Sequence, residues 1–553
     1  MFFETTLTAQ RIAESSAAGL WPDQRLQDHL TSAAAATPDK AAIVDRQGRY
    51  TYRGLAELVD AVARALLEMG VRPADVVALQ LPNWNEFVVL MLAIERIGAV
   101  VNPIAPIFRQ NELRGMFRLG RPVVVAIPAE FRGFDYRAML AELWPETPSL
   151  RHVIVLGGEP GAGMTAWDDV LALGRSSAVS RQALDLLTPD PNAVAELIFT
   201  SGTTGEPKGV LHTHNTLLAA SQLMIGPQGL AETDVFHMAS TFAHQTGYLF
   251  GARMCIHAGG TGVFQEVWDP VEFVRLIERE RVTMSNGATP FLADTLRAPN
   301  LDQHDISSLR IFGCFGAPIP QPLVEEALRR LPCRVMPGWG MTEIALVTMT
   351  RPGDPVEKVV GSDGIALPGT AVRIVDEEGQ PPPDGSDGRL FWRGHTAFVG
   401  YIQGRVFTQQ FFDAQGWFDT GDRAVMHDDG FIRISGRTKD IIIRGGENVP
   451  VKEIEDVLMR HPKVRNAAVV AAPDPRLGEV GCACIIPEPG ETLTFDDLRA
   501  FLAEQQVTRQ YWPERLALMD AFPTTPSGKI QKFRLRELVT AQGAAAAAGG
   551  GSA

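Results

Sequence analysis

Apolar positions along this chain recur with two alternating periods. Over 54–69 they return every three to four residues, which gathers them on one face of a helix. Val76-Val77-Ala78-Leu79-Gln80-Leu81 is instead a near-continuous apolar run of strand length. The alternation continues with 86–97 predicted as helix, 123–127 and 153–156 as strands, and 269–281 as helix. Strands separated by helices predict parallel α/β sheets. Over 360–435 the pattern changes to short β-type runs with turn signals such as Asp428-Asp429-Gly430, which predicts a small β-subdomain. A boundary falls near Gly436-Arg437-Thr438-Lys439-Asp440. Beyond it the pattern is α+β, with helices over 451–460 and 495–505 and strands over 467–471, 481–486 and 515–519.

The expected organisation is therefore α/β, with a large N-terminal domain over 1–437, a junction over 438–440 and an α+β domain over 441–536. The Ala/Gly/Ser-rich stretch over 541–553 is expected to be without structure. At 553 residues the chain is too long for one core, which agrees with this division.

Composition changes the picture in three respects. A net charge of −14 argues against a nucleic-acid surface, so an anionic substrate must be met by local positive groups. Five cysteines in apolar surroundings, without metal-type spacing, read as reduced thiols, and Cys482 and Cys484 share one face of a strand as packing residues. The N-terminus lacks a basic region followed by an apolar core, and the apolar run 87–94 ends at Glu95 and Arg96, so neither a signal peptide nor a membrane span is expected. A cytoplasmic location follows as an expectation.

Phe199-Thr200-Ser201-Gly202-Thr203-Thr204-Gly205-Glu206-Pro207-Lys208-Gly209-Val210 carries the strongest chemical signal. Its glycines let backbone N–H groups turn toward a ligand, its hydroxyls add donors, and Lys208 adds a positive charge, as a polyphosphate cradle needs. Pro207 before the lysine and Gly209 after it break the Walker A spacing. A flexible Ser/Thr/Gly linker is the alternative, against which stand the strand-like runs on both sides.

Four further segments have modest signals taken singly. Gly338-Trp339-Gly340-Met341-Thr342-Glu343 combines an aromatic plane, a hydroxyl and a carboxylate suited to Mg²⁺. Trp417-Phe418-Asp419-Thr420-Gly421-Asp422 offers an exposed Asp after a turn, able to accept two ribose hydroxyls or merely to stabilise the turn. Ile434 to Asp440, followed by Arg444-Gly445-Gly446-Glu447-Asn448, places charges beside glycines at a domain boundary, as a hinge or a solvated turn would. Pro523-Thr524-Thr525-Pro526-Ser527-Gly528-Lys529-Ile530 holds a lysine on a projecting loop.

In this order and spacing, the five segments resemble the adenylate-forming superfamily of acyl-CoA synthetases, luciferases and peptide-synthetase adenylation domains. The resemblance runs from about the first helix to Lys532, and within the superfamily it leans toward cyclohexanecarboxylate-type or medium-chain acyl-CoA ligases. It implies ATP, Mg²⁺ and CoA as cofactors, a carboxylic acid as substrate and a mobile C-terminal domain, and it is compatible with a homodimer. The roles it implies are catalytic for Lys529, Thr342, Glu343 and His244, with Glu343 also holding the metal. Thr200, Ser201, Gly202, Thr203, Thr204, Gly205 and Lys208 would hold phosphates, while Gly316, Ala317, Pro318, Trp339 and Gly340 would receive the adenine. Asp422 and Arg437 would fix the ribose, Lys439 would be the hinge, and Gly445 and Gly446 would serve the CoA step. Most family members carry Tyr where Trp339 stands, so the hydrogen bond of that hydroxyl is lost here.

The acyl group would lie among His244, Phe315, Gly338, Gly340 and Leu346. These positions hold no Lys or Arg, Phe315 limits depth and Gly338 opens the other side, which favours an uncharged, compact ring or a short-to-medium chain. Three alternatives stay open: an acyl-AMP ligase loading a separate carrier protein, a luciferase-like oxidative use of the adenylate, and a nucleotide-binding regulator without activity.

Overall fold

A computed structural model describes residues 3–200, 207–317, 319–383, 385–438, 442–444, 447–474, 478–505, 507, 509–525 and 528–549. Two large, mainly parallel sheets form the N-terminal part. The first runs, edge to edge, Gly400–Tyr401, Lys208–Thr213, Val194–Thr200, Val100–Pro103, Val76–Leu79, Val124–Pro128, His152–Leu156 and Thr165–Ala166. The second centres on Arg334–Met341, Ile311–Cys314, Met284–Gly287, Val235–Met238, Thr261–Phe264 and Ala41–Val44, all parallel, with antiparallel edges.

Helices sandwiched between these sheets build the main core. Every residue of Asn85–Arg96 except Glu86 is buried, because it packs with Val77, Leu79 and Val101 of one sheet in the same cluster as Phe236, Met238 and Ile311 of the other. That position explains a run too apolar for a surface helix. Charges at its end are paired internally: Arg96 bonds Asp60 at 2.8 Å and Asp185 at 2.7 Å, and Glu95 pairs with the buried Arg253. Truncating Phe87 at its centre costs about 3–5 kcal/mol by the usual cavity scale.

The β-subdomain is a four-stranded antiparallel sheet of Thr370–Val375, Asp387–Gly394, Phe418–Met426 and Ile432–Arg437. Beyond it, Val464–Asp474 and Gly478–Pro487 pair antiparallel, and Arg515–Leu518 adds in parallel. Helices Val451–Leu458 and Phe495–Glu504 cover one face of this sheet. The helix starting at Lys532 covers the other through Leu535 and Val539, packed with Cys482 and Cys484. The two thiols are thus core residues.

The tail departs from expectation. The last helix spans Lys532–Gly549, so 541–549 continue a helix that the sequence reading left without structure. Alanine's high helix propensity accounts for it: an alanine run extends a helix already started by Leu535 and Val539.

The domains meet through polar groups. Arg433 of the β-subdomain donates to the Ile319 carbonyl at 2.7 Å and pairs with Asp456 of the C-terminal domain at 3.1 Å. Asp456 also takes Lys452 at 2.8 Å. Arg460 reaches Gln321 at 3.3 Å and Arg297 reaches Glu488 at 3.7 Å.

Candidate active site

The phosphate-type loop is the connection of a β-hairpin. Val194–Thr200 and Lys208–Thr213 pair antiparallel, with Thr200 opposite Lys208 and Phe199 opposite Gly209. Ser201, Gly202, Thr203, Thr204 and Gly205 lie outside the described residues. The returning end of the loop is held firmly. Gln403 donates to the Pro207 carbonyl at 2.8 Å, and the Ile402 N–H donates to the Gly209 carbonyl at 2.7 Å. A Cβ at Gly209 would stand 2.6 Å from Ile402 Cγ2 and 2.7 Å from Leu197 Cδ1, so no larger residue fits. The Lys208 ammonium lies over three rings, 4.2 Å from the Phe411 centroid, 5.4 Å from Tyr401 and 5.8 Å from Phe407.

Arg334–Met341 and Ala345–Met349 form the next hairpin, which carries Trp339, Thr342 and Glu343. Gly338 and Gly340 allow its strands to close up. A Cβ would meet the Thr348 carbonyl at 2.8 Å at the first and the Ala345 carbonyl at 2.0 Å at the second. Gly338 therefore does not open a side of the acyl pocket as the sequence reading supposed, because Leu346 and the facing strand already fill that space. Thr342 is fixed through its carbonyl, which accepts from His212 Nε2 at 2.8 Å, while His212 Nδ1 meets the Thr216 hydroxyl at 3.1 Å. Burial pushes His212 down to about 4, so it is a neutral strut. Glu343 is 6% exposed and accepts from the Tyr401 hydroxyl at 2.7 Å.

Asp422 differs from its expected setting. It is 5% exposed, lies within strand Phe418–Met426 and follows Gly421 at φ +69°. Both its oxygens are engaged: the Trp339 indole N–H donates to one at 2.8 Å and Arg437 meets the other at 3.0 Å. The buried position results from the strand continuing through a bulge next to Arg423, where the sequence suggested an exposed turn. The Trp339 ring thus supplies a hydrogen bond through its own N–H, although it has no phenolic hydroxyl.

Lys529 comes to this place from the C-terminal domain. Its loop is closed by the Thr525 N–H to the Lys529 carbonyl at 2.7 Å and by the Lys529 N–H to the Thr525 hydroxyl at 3.1 Å. The side chain passes Gly316, whose missing Cβ would stand 3.8 Å from Lys529 Cε and 3.8 Å from Thr246 Oγ1. Burial and the neighbouring Arg437 push the ammonium down to about 8, against the pull of Asp422 and Glu343. His244 caps the turn Gln245–Gly247 by accepting from the Thr246 N–H at 3.4 Å, and burial next to Lys529 lowers its ring to about 3. A neutral His244 can contact a carboxylate only as a hydrogen-bond partner.

The structure thus brings together Lys529, His244, Gly316, Glu343, Asp422, Arg437 and Trp339, with Ala317 beside Gly316. Thr342 sits next to Glu343, and Lys208 stands opposite Thr200 at the base of the 201–206 loop. Phe315 and Leu346 lie deeper, in one cluster with Phe250, whose ring centroid is 5.6 Å from that of Phe315. Pro318, Lys439, Gly445 and Gly446 lie outside the described residues. Tyr401, Gln403, His212 and Thr246 were missed by sequence reasoning. The aromatic spacing Phe398, Tyr401, Phe407, Phe411 was the available signal for the first of these.

Glu343 offers one buried carboxylate, a donor that suits Mg²⁺, a cation that takes one or two carboxylates and completes its shell with substrate phosphates and water. No group of three or more His, Cys, Asp or Glu side chains forms a protein-only metal cage among the described residues. No helix among them is long and apolar enough to cross a membrane.

Known proteins are similar to this chain over most of its length. The chain is 35% identical over 534 residues to the medium-chain fatty-acid–CoA ligase of Escherichia coli (strain K12), covering 96% of this chain and 93% of that protein. It is 32% identical over 528 residues to the salicylyl-CoA synthase / salicylate adenylyltransferase of a Streptomyces species, covering 94% and 95%. The crystal structure of the anthranilate CoA ligase AuaEII in complex with anthranoyl-AMP superposes with a TM-score of 0.86 at 25% identity, over 95% of this chain and 98% of that one. Residues 30–402 match the model of the AMP-binding enzymes and 453–529 that of the AMP-binding enzyme C-terminal domain. The chain belongs to the AMP-binding enzyme family.

Proposed function

We propose that the protein activates a compact carboxylic acid with ATP and passes the acyl group to CoA. The observation that carries this reading is Lys529, delivered by the C-terminal domain to Gly316 and surrounded by Asp422, Arg437 and Glu343. A carboxylate oxygen attacks the α-phosphorus, the bond to pyrophosphate breaks, and two anions must approach each other. Lys529 supplies the opposing charge where the bond forms while Lys208 holds the phosphates, and such preorganised electrostatics are usually the largest catalytic contribution. Asp422, held by Trp339 and Arg437, is placed to orient the ribose, and fixing both reactants lowers the barrier further. Mg²⁺, when bound at Glu343 and the phosphates, would neutralise charge on the departing pyrophosphate. In the second step the CoA sulfur attacks the acyl carbon, AMP leaves, and the thiol proton is released.

The C-terminal domain would rotate about Lys439 between these steps and bring Gly445 and Gly446 to the site, so one site serves both. The acid is an alicyclic, aromatic or short-to-medium-chain one, a range that the medium-chain, salicylate and anthranilate ligases above support. The test is a pyrophosphate-release screen over such acids, with and without CoA. Acyl-CoA formed with AMP and pyrophosphate supports the reading. Pyrophosphate exchange without acyl-CoA would favour a carrier-loading ligase. ATP binding without turnover of any acid would leave a regulator.

A further inference from the structure

Tyr401 touches both charged poles of the phosphate side, and no motif read from the sequence contains it. Its hydroxyl donates to Glu343 at 2.7 Å, while its ring lies 5.4 Å from the Lys208 ammonium. The tyrosine itself is immobilised. Its N–H donates to the Thr408 hydroxyl at 2.9 Å, its strand Gly400–Tyr401 pairs with Val210 and Leu211, and its ring packs edge-on against Phe398, Phe407 and Phe411. The next residues, Ile402 and Gln403, hold the returning end of the phosphate loop.

We propose that Tyr401 is a positioning residue for the ATP-dependent step, one that ties the phosphate-loop lysine to the carboxylate at the magnesium position. This rests on the ATP-dependent reading above. Two physical consequences follow from the geometry. A Glu343 oxygen held by a phenol keeps a single orientation before any cation arrives, so ordering it does not have to be met from the free energy of cation binding. A phenol that donates to a carboxylate also gains electron density, and its ring then attracts the Lys208 ammonium more strongly.

The inference separates two contributions that substitution can dissect. Tyr401→Phe keeps the ring over Lys208 and removes the bond to Glu343. Phe411→Leu removes the nearest ring face and leaves that bond. ATP binding to each protein, without acid, is followed by tryptophan emission over a series of Mg²⁺ concentrations, since Trp339 lies in the site. For Tyr401→Phe we expect ATP affinity about tenfold weaker at low Mg²⁺ and recovering as Mg²⁺ rises, the loss of one charge-assisted bond. For Phe411→Leu the weakening is the same at every Mg²⁺ concentration. A Tyr401→Phe protein with the wild-type Mg²⁺ dependence overturns the proposal, and so does one weakened equally throughout with a lowered melting temperature, which would mark a packing role. Failure of the wild-type protein to bind ATP would instead overturn the reading on which the proposal rests.

Discussion

Two lysines face the same region of the molecule from different domains, and their surroundings are opposite. Lys208 rises from a strand of the large sheet and sits among aromatic rings, which stabilise a cation without neutralising it. Lys529 sits on a loop of the C-terminal domain, where burial and Arg437 disfavour its charge and lower it to about 8. The first is held against the rings of the wall. The second becomes fully cationic when an anion arrives, so it is poised for a charged ligand and costly to keep in place without one. On the proposed function, that difference would make Lys208 the holding group and Lys529 the catalytic one.

The largest effect that would break this division is Lys529→Ala. It should lower acid-dependent pyrophosphate exchange by about 10²–10³ and leave thioester formation from synthetic acyl-AMP within about twofold, as removal of a transition-state donor does. Equal loss of both half-reactions would show that Lys529 is not specific to the first.

Next in size is the pH response. Lys529 is lowered from the ordinary lysine value to about 8, so its charged form exists below that pH and is lost above it. kcat/KM for ATP, which reports the free enzyme, should fall about tenfold per pH unit above about 8. Lys529→Arg should remove that limb, because a guanidinium stays protonated there. A limb that survives the substitution belongs to another group.

Lys208→Ala should act on binding: a KM for ATP about tenfold higher, with kcat changed less, since an interaction made equally in ground and transition states moves KM alone. A drop confined to kcat would erase the contrast between the lysines.

The smallest effect concerns how Lys529 is held in place. Asp456→Asn removes one partner of Arg433 and leaves Lys452 and Arg433 facing each other, while Arg433 keeps the Ile319 carbonyl. The orientation that brings Lys529 to Gly316 should be weakened, because two nearly buried cations lose a shared anionic partner. The ratio of exchange to thioester formation should then move about two- to fivefold toward the second step.

Much of this was legible in the chain. Alternating helical and strand periods gave the α/β architecture, and the strand-like runs before Thr200 and after Lys208 framed the loop, because local patterning reflects which faces are buried. What escaped was set by long-range contact. Tyr401 acts on residues 58 and 193 positions away, and nothing in Gly400-Tyr401 distinguishes a packing tyrosine from a positioning one. Asp422 looked exposed because Thr420-Gly421 reads as a turn, whereas pairing with Arg437 across the sheet draws it inside. Trp339 was legible as an aromatic plane, but its N–H became a tether only once Asp422 stood opposite. The helix through Gly549 shows the reverse: low complexity suggested no structure, while Ala544 to Ala548 is an unbroken run of the best helix former.

The polar seam between the domains, built on Arg433, Asp456, Arg460 and Glu488, also bears on how the protein behaves in a crowded solution. A joint of this chemistry can part without exposing greasy surface, because its charged groups are readily rehydrated. If the C-terminal domain rotates in each cycle as proposed, it is thereby spared the sticky intermediates that an apolar joint would present.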